Sequence, residues 1–135
     1  MAKATTTARP TTRAVPGRIT TANLEMWPSE WQLWVDGQRV WLTKTEGDLL
    51  GLLMANERHV ITREELYDLY DHVWGGPLPH RDRKLDVYVR KLRHKLAEAA
   101  PGWTYLHTHH AMGYRFEPVA PEDQEAAQGG QREAP

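Results

Sequence analysis

Two short runs in which apolar and polar residues alternate, Trp31–Val35 and Gln38–Leu42, flank Asp36-Gly37. Alternation of period two marks a half-buried strand. Asp-Gly between two such runs is a strong signal for a two-residue hairpin turn, because both central residues need positive φ. That register puts Trp31, Leu33, Val35, Val40 and Leu42 on a core-facing side and Gln32, Trp34, Arg39 and Trp41 on the other. A further strand near Leu24–Trp27 is expected to join the sheet.

The period then changes to that of a helix. Thr43 and Glu46 form a capping box, in which each side chain satisfies a free backbone N–H of the other, and Leu49, Leu50, Leu52, Leu53 and Met54 follow. Thr62 and Glu65 repeat the signal ahead of Leu66, Leu69, Tyr70, Val73 and Trp74, an amphipathic spacing that Gly75-Gly76-Pro77 terminates. A third helix is expected from about Arg83 to Ala97, with Asp82 as N-cap and Pro101-Gly102 as stop. A hairpin closes the chain: Thr104–Thr108, a turn near His109–Met112, and Gly113–Phe116. The order predicts an α+β fold of winged helix-turn-helix layout, with an N-terminal antiparallel sheet, three helices and a C-terminal β-hairpin wing. Residues 1–22 (Thr, Ala, Arg, Pro) and 118–135 (Pro, Glu, Gln, Gly, Ala) lack apolar content and are expected as a disordered basic tail and a disordered acidic tail around a 23–117 domain.

The net charge of −1 conceals a segregation. Residues 1–18 carry four bases and no acid, and residues 19–79 carry ten acids against four bases. Residues 80–95 carry seven bases against Asp82 and Asp86. A basic block in an acidic body marks one face for a polyanion. With Leu85 at zero and about 100° per residue, Leu85, Val89, Leu92 and Leu96 form a buried stripe. Arg83, Val87, Arg90, Lys91 and His94 collect opposite, with Lys84 and Lys95 at one edge and Arg93 at the other. A solvated helix mixes signs at i,i+4, but here the expected pair is Asp86 with Arg90 alone. An apolar Val87 among bases suits a major groove, where a methyl meets thymine and arginine reads guanine.

Other features narrow the function. The absence of cysteine removes thiol catalysis, Cys-ligated zinc and disulfides. No glycine-rich phosphate loop, nucleophile elbow or zinc motif is present, so no enzyme and no cofactor is expected. His107 and His109 share one side of a strand and His110 the other; a wing touching phosphates fits them better than a metal site. Trp34 and Trp41, with Arg39 placed to stack on Trp34, form an outer sheet face that suits a partner, a homodimer contact or cover by the first strand or N-terminal tail. The longest apolar stretch, Leu49–Ala55, is far short of a membrane span, and no signal-peptide core opens the chain, so a cytoplasmic location is expected.

Leu42–Glu46 with Leu49-Leu50, Ile61–Leu66, Val73–Gly75, the run Asp82–Leu96, and Thr108 with Gly113–Phe116 together resemble the effector domain of the OmpR/PhoB family of bacterial response regulators. The resemblance spans about residues 30–117 and implies a sequence-specific, double-stranded-DNA-binding transcription regulator. Its recognition helix (83–97) would lie in the major groove and its wing (104–116) at the minor groove. Arg83, Val87, Tyr88, Arg90, Lys91 and Arg93 fall on family DNA-facing positions, as do Thr108 and the wing residues after it; His94, His109 and His110 complete the candidate set. Loop 75–81 falls where relatives often touch RNA polymerase. Four departures stand out. No receiver domain precedes the fold, which would make this an orphan regulator. His110-Ala111 replaces the usual wing Arg-Gly. The second helix gains a turn at Tyr67–Tyr70, which would displace the polymerase-facing loop. Gly47 replaces a large apolar residue, which calls for a repacked neighbour. The competing expectation is a protein-interaction module that docks RNA polymerase or another regulator through the Trp34/Trp41 face. The abundance of Ala, Arg, Gly, Pro and Trp points to a GC-rich bacterial or phage source.

Overall fold

The computed structural model describes residues 15–76 and 81–124, with side chains of the third helix described from Leu85 onward. Four strands form an N-terminal antiparallel sheet in sequence order: β1 (Ile19–Thr21), β2 (Leu24–Trp27), β3 (Gln32–Val35) and β4 (Gln38–Trp41). The β3–β4 turn has Asp36 at φ 52° and Gly37 at φ 81°, as the Asp-Gly signal requires. The register pairs Leu33 with Val40 and Trp34 with Arg39. Leu24, Met26, Leu33 and Val35 are buried on the inner face.

Trp31 departs from expectation. It is not the first residue of the strand but the left-handed end (φ 54°) of a 3-10 turn over Pro28–Glu30. The reversal swings its indole onto the first helix, α1 (Lys44–Ala55). A Cβ at Gly47 would lie 2.9 Å from Trp31 Cδ1, and one at Gly51 would lie 2.9 Å from Pro28 Cβ. The missing side chains thus seat the turn, and Trp31 is the repacked neighbour that Gly47 called for. The Trp31 indole N–H donates to Asp48 Oδ1 at 2.8 Å.

Helix α1 starts at the Thr43/Glu46 capping box. Every residue from Glu46 to Met54 is buried, as suits a helix enclosed on all sides. Its Asp48 carboxylate is held by Trp31, by Lys44 Nζ at 2.9 Å and by Tyr70 OH at 3.1 Å, and its carbonyl accepts from the Trp74 indole at 3.0 Å. A buried charge needs several such donors. Tyr70 lies on the second helix, α2 (Arg63–Trp74), which begins at the Thr62/Glu65 capping box and ends at left-handed Gly75.

A strand the sequence pattern did not reveal, β5 (Val60–Thr62), precedes α2. It pairs with β7 (Gly113–Val119), which also pairs with β6 (Thr104–His109), giving the order β5-β7-β6. Gly113 makes this possible: a Cβ there would sit 1.9 Å from Ile61 O. The third helix, α3 (Arg81–Ala99), starts earlier than expected, so Asp82 lies inside it and not at its N-cap. The core joins both sheets and all three helices, with Phe116 fully buried under Tyr105, whose ring stacks at 6.2 Å. Both domain boundaries move outward: β1 lies within 1–22, and β7 and a helical turn at 121–124 lie partly or wholly beyond 117. The remainder of the two expected tails, 1–14 and 125–135, is outside the described residues.

Candidate nucleic-acid interface

The stripe that builds the interface is Leu85, Val89, Leu92 and Leu96, all 2% exposed or less. At roughly 1.5–3 kcal/mol for each fully buried aliphatic side chain, it anchors α3 and leaves the opposite side free. Arg90, Lys91 and His94 are exposed there, and Val87 and Tyr88 are half-buried beside them. Arg83 sits in the first turns of α3 with its side chain outside the described ones. His94 pairs with Glu98 at 3.1 Å, an i,i+4 pair the sequence reading passed over.

Asp86 does not pair with Arg90. Both of its carboxylate oxygens are taken by Arg63, whose Nη1 donates to Oδ1 at 2.7 Å and whose Nη2 bonds Oδ2. Tyr114 OH also donates to Asp86 Oδ1. Arg63 lowers the Asp86 carboxyl below the ordinary carboxylate value, with Tyr114 adding to the effect. The hydrogen bond to Asp86 raises Arg63. Burial, then Asp86, raises Tyr114. Sequence reasoning missed Arg63, yet a signal existed. A cation at the first position of a helix opposes the helix dipole, so it wants a carboxylate elsewhere in the fold.

Arg93 is half-buried. Its Nε and Nη2 donate to Leu106 O at 3.1 and 3.0 Å, and Nη2 donates to Thr108 Oγ1 at 2.6 Å. Its guanidinium lies 5.8 Å from the Tyr114 ring centroid. Lys95 is also engaged, with Nζ 2.6 Å from Glu46 Oε1 and 2.8 Å from Trp41 O. Arg90 and Lys91 carry no ion pair among the described residues.

In the wing, Thr108 and His110 are exposed and His109 is half-buried. His109 is engaged within the wing through one ring nitrogen, its Nε2 accepting from Arg115 Nη1 at 2.6 Å. His107 is turned onto Glu117 O at 2.8 Å. The turn falls where expected, closed by Met112 N to His109 O at 2.8 Å, with Ala111 left-handed at φ 61°. Met112 is 56% exposed at the tip. A cleft of about 280 Å³ lies between the wing and the helices, lined by Arg63, Asp86, Thr108, His109, Met112 and Tyr114 among others. No cluster of three metal-ligating side chains occurs among the described residues, nor does any helix long and apolar enough to cross a membrane.

On the outer face of the N-terminal sheet, the Arg39 guanidinium lies 4.0 Å from the Trp41 ring centroid and 5.8 Å from that of Trp34. Trp34 is half-buried, and Trp41 stays 70% exposed. In loop 75–81, residues 77–80 lie outside the described residues.

The family model described as the C-terminal part of transcriptional regulatory proteins matches residues 37–116. The response regulators ArlR of Staphylococcus epidermidis and Staphylococcus aureus are 47% identical over 62 residues, which is 46% of this chain and 27% of theirs. The chain thus spans about a quarter of the length of these relatives. Among solved structures, the DNA-binding domain of CpxR from E. coli is 30% identical, covers 73% of this chain and 94% of its own, and superposes with a TM-score of 0.59. The Klebsiella pneumoniae RstA DNA-binding domain, solved in complex with the RstA box, is 27% identical over 77% of this chain and 97% of its own, at a TM-score of 0.59. The chain belongs to the OmpR/PhoB-type family of C-terminal domains of transcriptional regulatory proteins.

Proposed function

We propose that the chain is a sequence-specific double-stranded-DNA-binding transcription regulator, with α3 in the major groove and the β6–β7 wing at the minor groove. One observation carries this reading. The acid on the middle of α3, Asp86, is turned onto Arg63 and Tyr114, which leaves Arg90 and Lys91 exposed with no carboxylate among the described residues to neutralise them. Such cations supply affinity through phosphates, while Val87, Tyr88 and one arginine read base edges. Arg83 is assigned to the phosphate set by its place on the helix, and His94, Thr108, His109 and His110 extend the footprint towards the wing. The bound RstA box of the RstA structure supports the same class of ligand here.

Selection from random duplexes identifies the preferred site. Arg90→Ala then loses about 1–3 kcal/mol and flattens preference at one base pair if Arg90 reads a base, whereas a phosphate role weakens all sequences alike. The exposed Trp41 beside a stacked Arg39 favours a second reading, a contact with RNA polymerase, another regulator or a second copy of the chain. Loop 75–81 offers a further polymerase contact. A salt titration separates the readings, since DNA affinity through several phosphates falls steeply with salt, and no binding at about 50 mM salt leaves the interaction module.

A further inference from the structure

Not every cation on α3 is presented outward. Arg93 uses Nε and Nη2 on Leu106 O and reaches Thr108 Oγ1, two residues further along the same strand. A planar guanidinium that spans two acceptors on one strand fixes that strand's distance and rotation, which the single ammonium of lysine cannot do. β6 is an outer strand, so its Leu106 carbonyl is otherwise a backbone acceptor at a sheet edge. Behind Arg93 lies the Tyr114 ring, whose hydroxyl binds Asp86, which Arg63 holds in turn. Arg63, Asp86, Tyr114, Arg93 and Thr108 therefore run as one polar brace from the start of α2, through α3, to the wing.

We infer that Arg93 is a positioning residue that sets the wing against the recognition helix, and not a phosphate ligand like Arg90 and Lys91. The inference rests on the DNA-binding reading, because fixing the wing matters only if helix and wing engage one duplex together. Two surfaces held in fixed relation lose less freedom on binding, and affinity gains from that preorganisation.

The test uses the full chain with Arg93→Lys and Arg93→Met, against the selected duplex at about 50–200 mM salt. Hydrogen exchange at the amides of residues 105–108 is followed in the free protein. Arg93→Lys keeps the charge, yet its affinity should fall about tenfold or more at every salt concentration, with the log–log salt slope unchanged in both variants. Exchange at 105–108 should rise about tenfold before any DNA is added. Native-like affinity in Arg93→Lys overturns the proposal. So does a slope smaller by about 0.9 in Arg93→Met, which is the mark of a lost phosphate contact. Unchanged exchange overturns it as well. If Arg93→Met fails to fold, Arg93→Lys alone decides by affinity and exchange. If the native chain binds no duplex, the DNA reading fails separately, and the exchange arm still decides whether the brace exists.

Discussion

Trp31 and Gly47 form a matched pair, and exchanging their sizes tests it. Trp31 is 37% exposed, so about 100–150 Å² of a side chain that buries 150–250 Å² in full is covered. At about 25 cal/mol per Å² this is worth roughly 3 kcal/mol, and the indole hydrogen bond to Asp48 adds about 1 kcal/mol. Trp31→Gly forfeits both, but it relieves a left-handed residue (φ 54°) by about 1 kcal/mol. The net loss should be near 3 kcal/mol. Gly47→Leu gains about 1 kcal/mol in helix propensity. Its Cβ, however, would lie 2.9 Å from Trp31 Cδ1 and 3.2 Å from its Cα, and overpacking of this kind costs about 1–3 kcal/mol. With Trp31→Gly in place the leucine fills the vacated site, so Gly47→Leu should become neutral or stabilising, a coupling of about 2 kcal/mol or more. Urea unfolding followed by far-UV circular dichroism, which does not depend on the lost indole, reads all four species. Additivity within about 0.5 kcal/mol would refute the pairing.

Further outcomes follow from other contacts. Gly113→Ala should destabilise by about 3 kcal/mol or more, because its Cβ would collide with the Ile61 carbonyl in a strand that cannot yield; a native-like thermal midpoint would count against the close β5–β7 approach. Ala111→Gly should raise stability by up to about 1 kcal/mol, since left-handed alanine costs more than the added chain entropy of glycine, and a lowered midpoint would show that the turn is not strained. Burial pushes Glu46 up, but the Lys95 and Thr43 hydrogen bonds outweigh it and hold the carboxyl below its ordinary 4.5. A lowered folded-state value contributes stability that is fully present above about 4.5 and is lost as pH falls through the folded value. Urea midpoints compared at neutral pH and near pH 3 should therefore drop less in Glu46→Gln than in the native chain, and an equal drop would remove Glu46 from the acid transition.

What the sequence made legible was local. Asp36-Gly37 fixes a hairpin through φ alone, Thr43/Glu46 and Thr62/Glu65 fix two helix starts through neighbouring donors, and the Leu85–Leu96 stripe fixes the buried side of α3 through its period. What escaped it was set by residues distant in the chain. β5 is three residues long and has no pattern of its own; it exists because Gly113 lets β7 approach. Trp31 reads as a strand residue until the Gly47 gap is known. At the candidate site the sequence placed Arg90, Lys91 and His94 outward, as found. It could not show that Asp86 would turn to Arg63, 23 residues away, or that Arg93 would turn to Leu106 and Thr108. Helical geometry gives the direction in which a side chain leaves its helix, and the neighbouring elements decide where it ends.

Lys95 and Arg93, the engaged cations among the described side chains of α3, have a consequence outside recognition. β4 and β6 are the outer strands of their sheets, and α3 puts Lys95 on the Trp41 carbonyl of one and Arg93 on the Leu106 carbonyl of the other. A strand arriving from another molecule would meet those acceptors already occupied, with a fixed positive charge in its path, which is how natural sheets keep their borders from growing. The helix that bears the outward cations thereby also closes one border of each sheet.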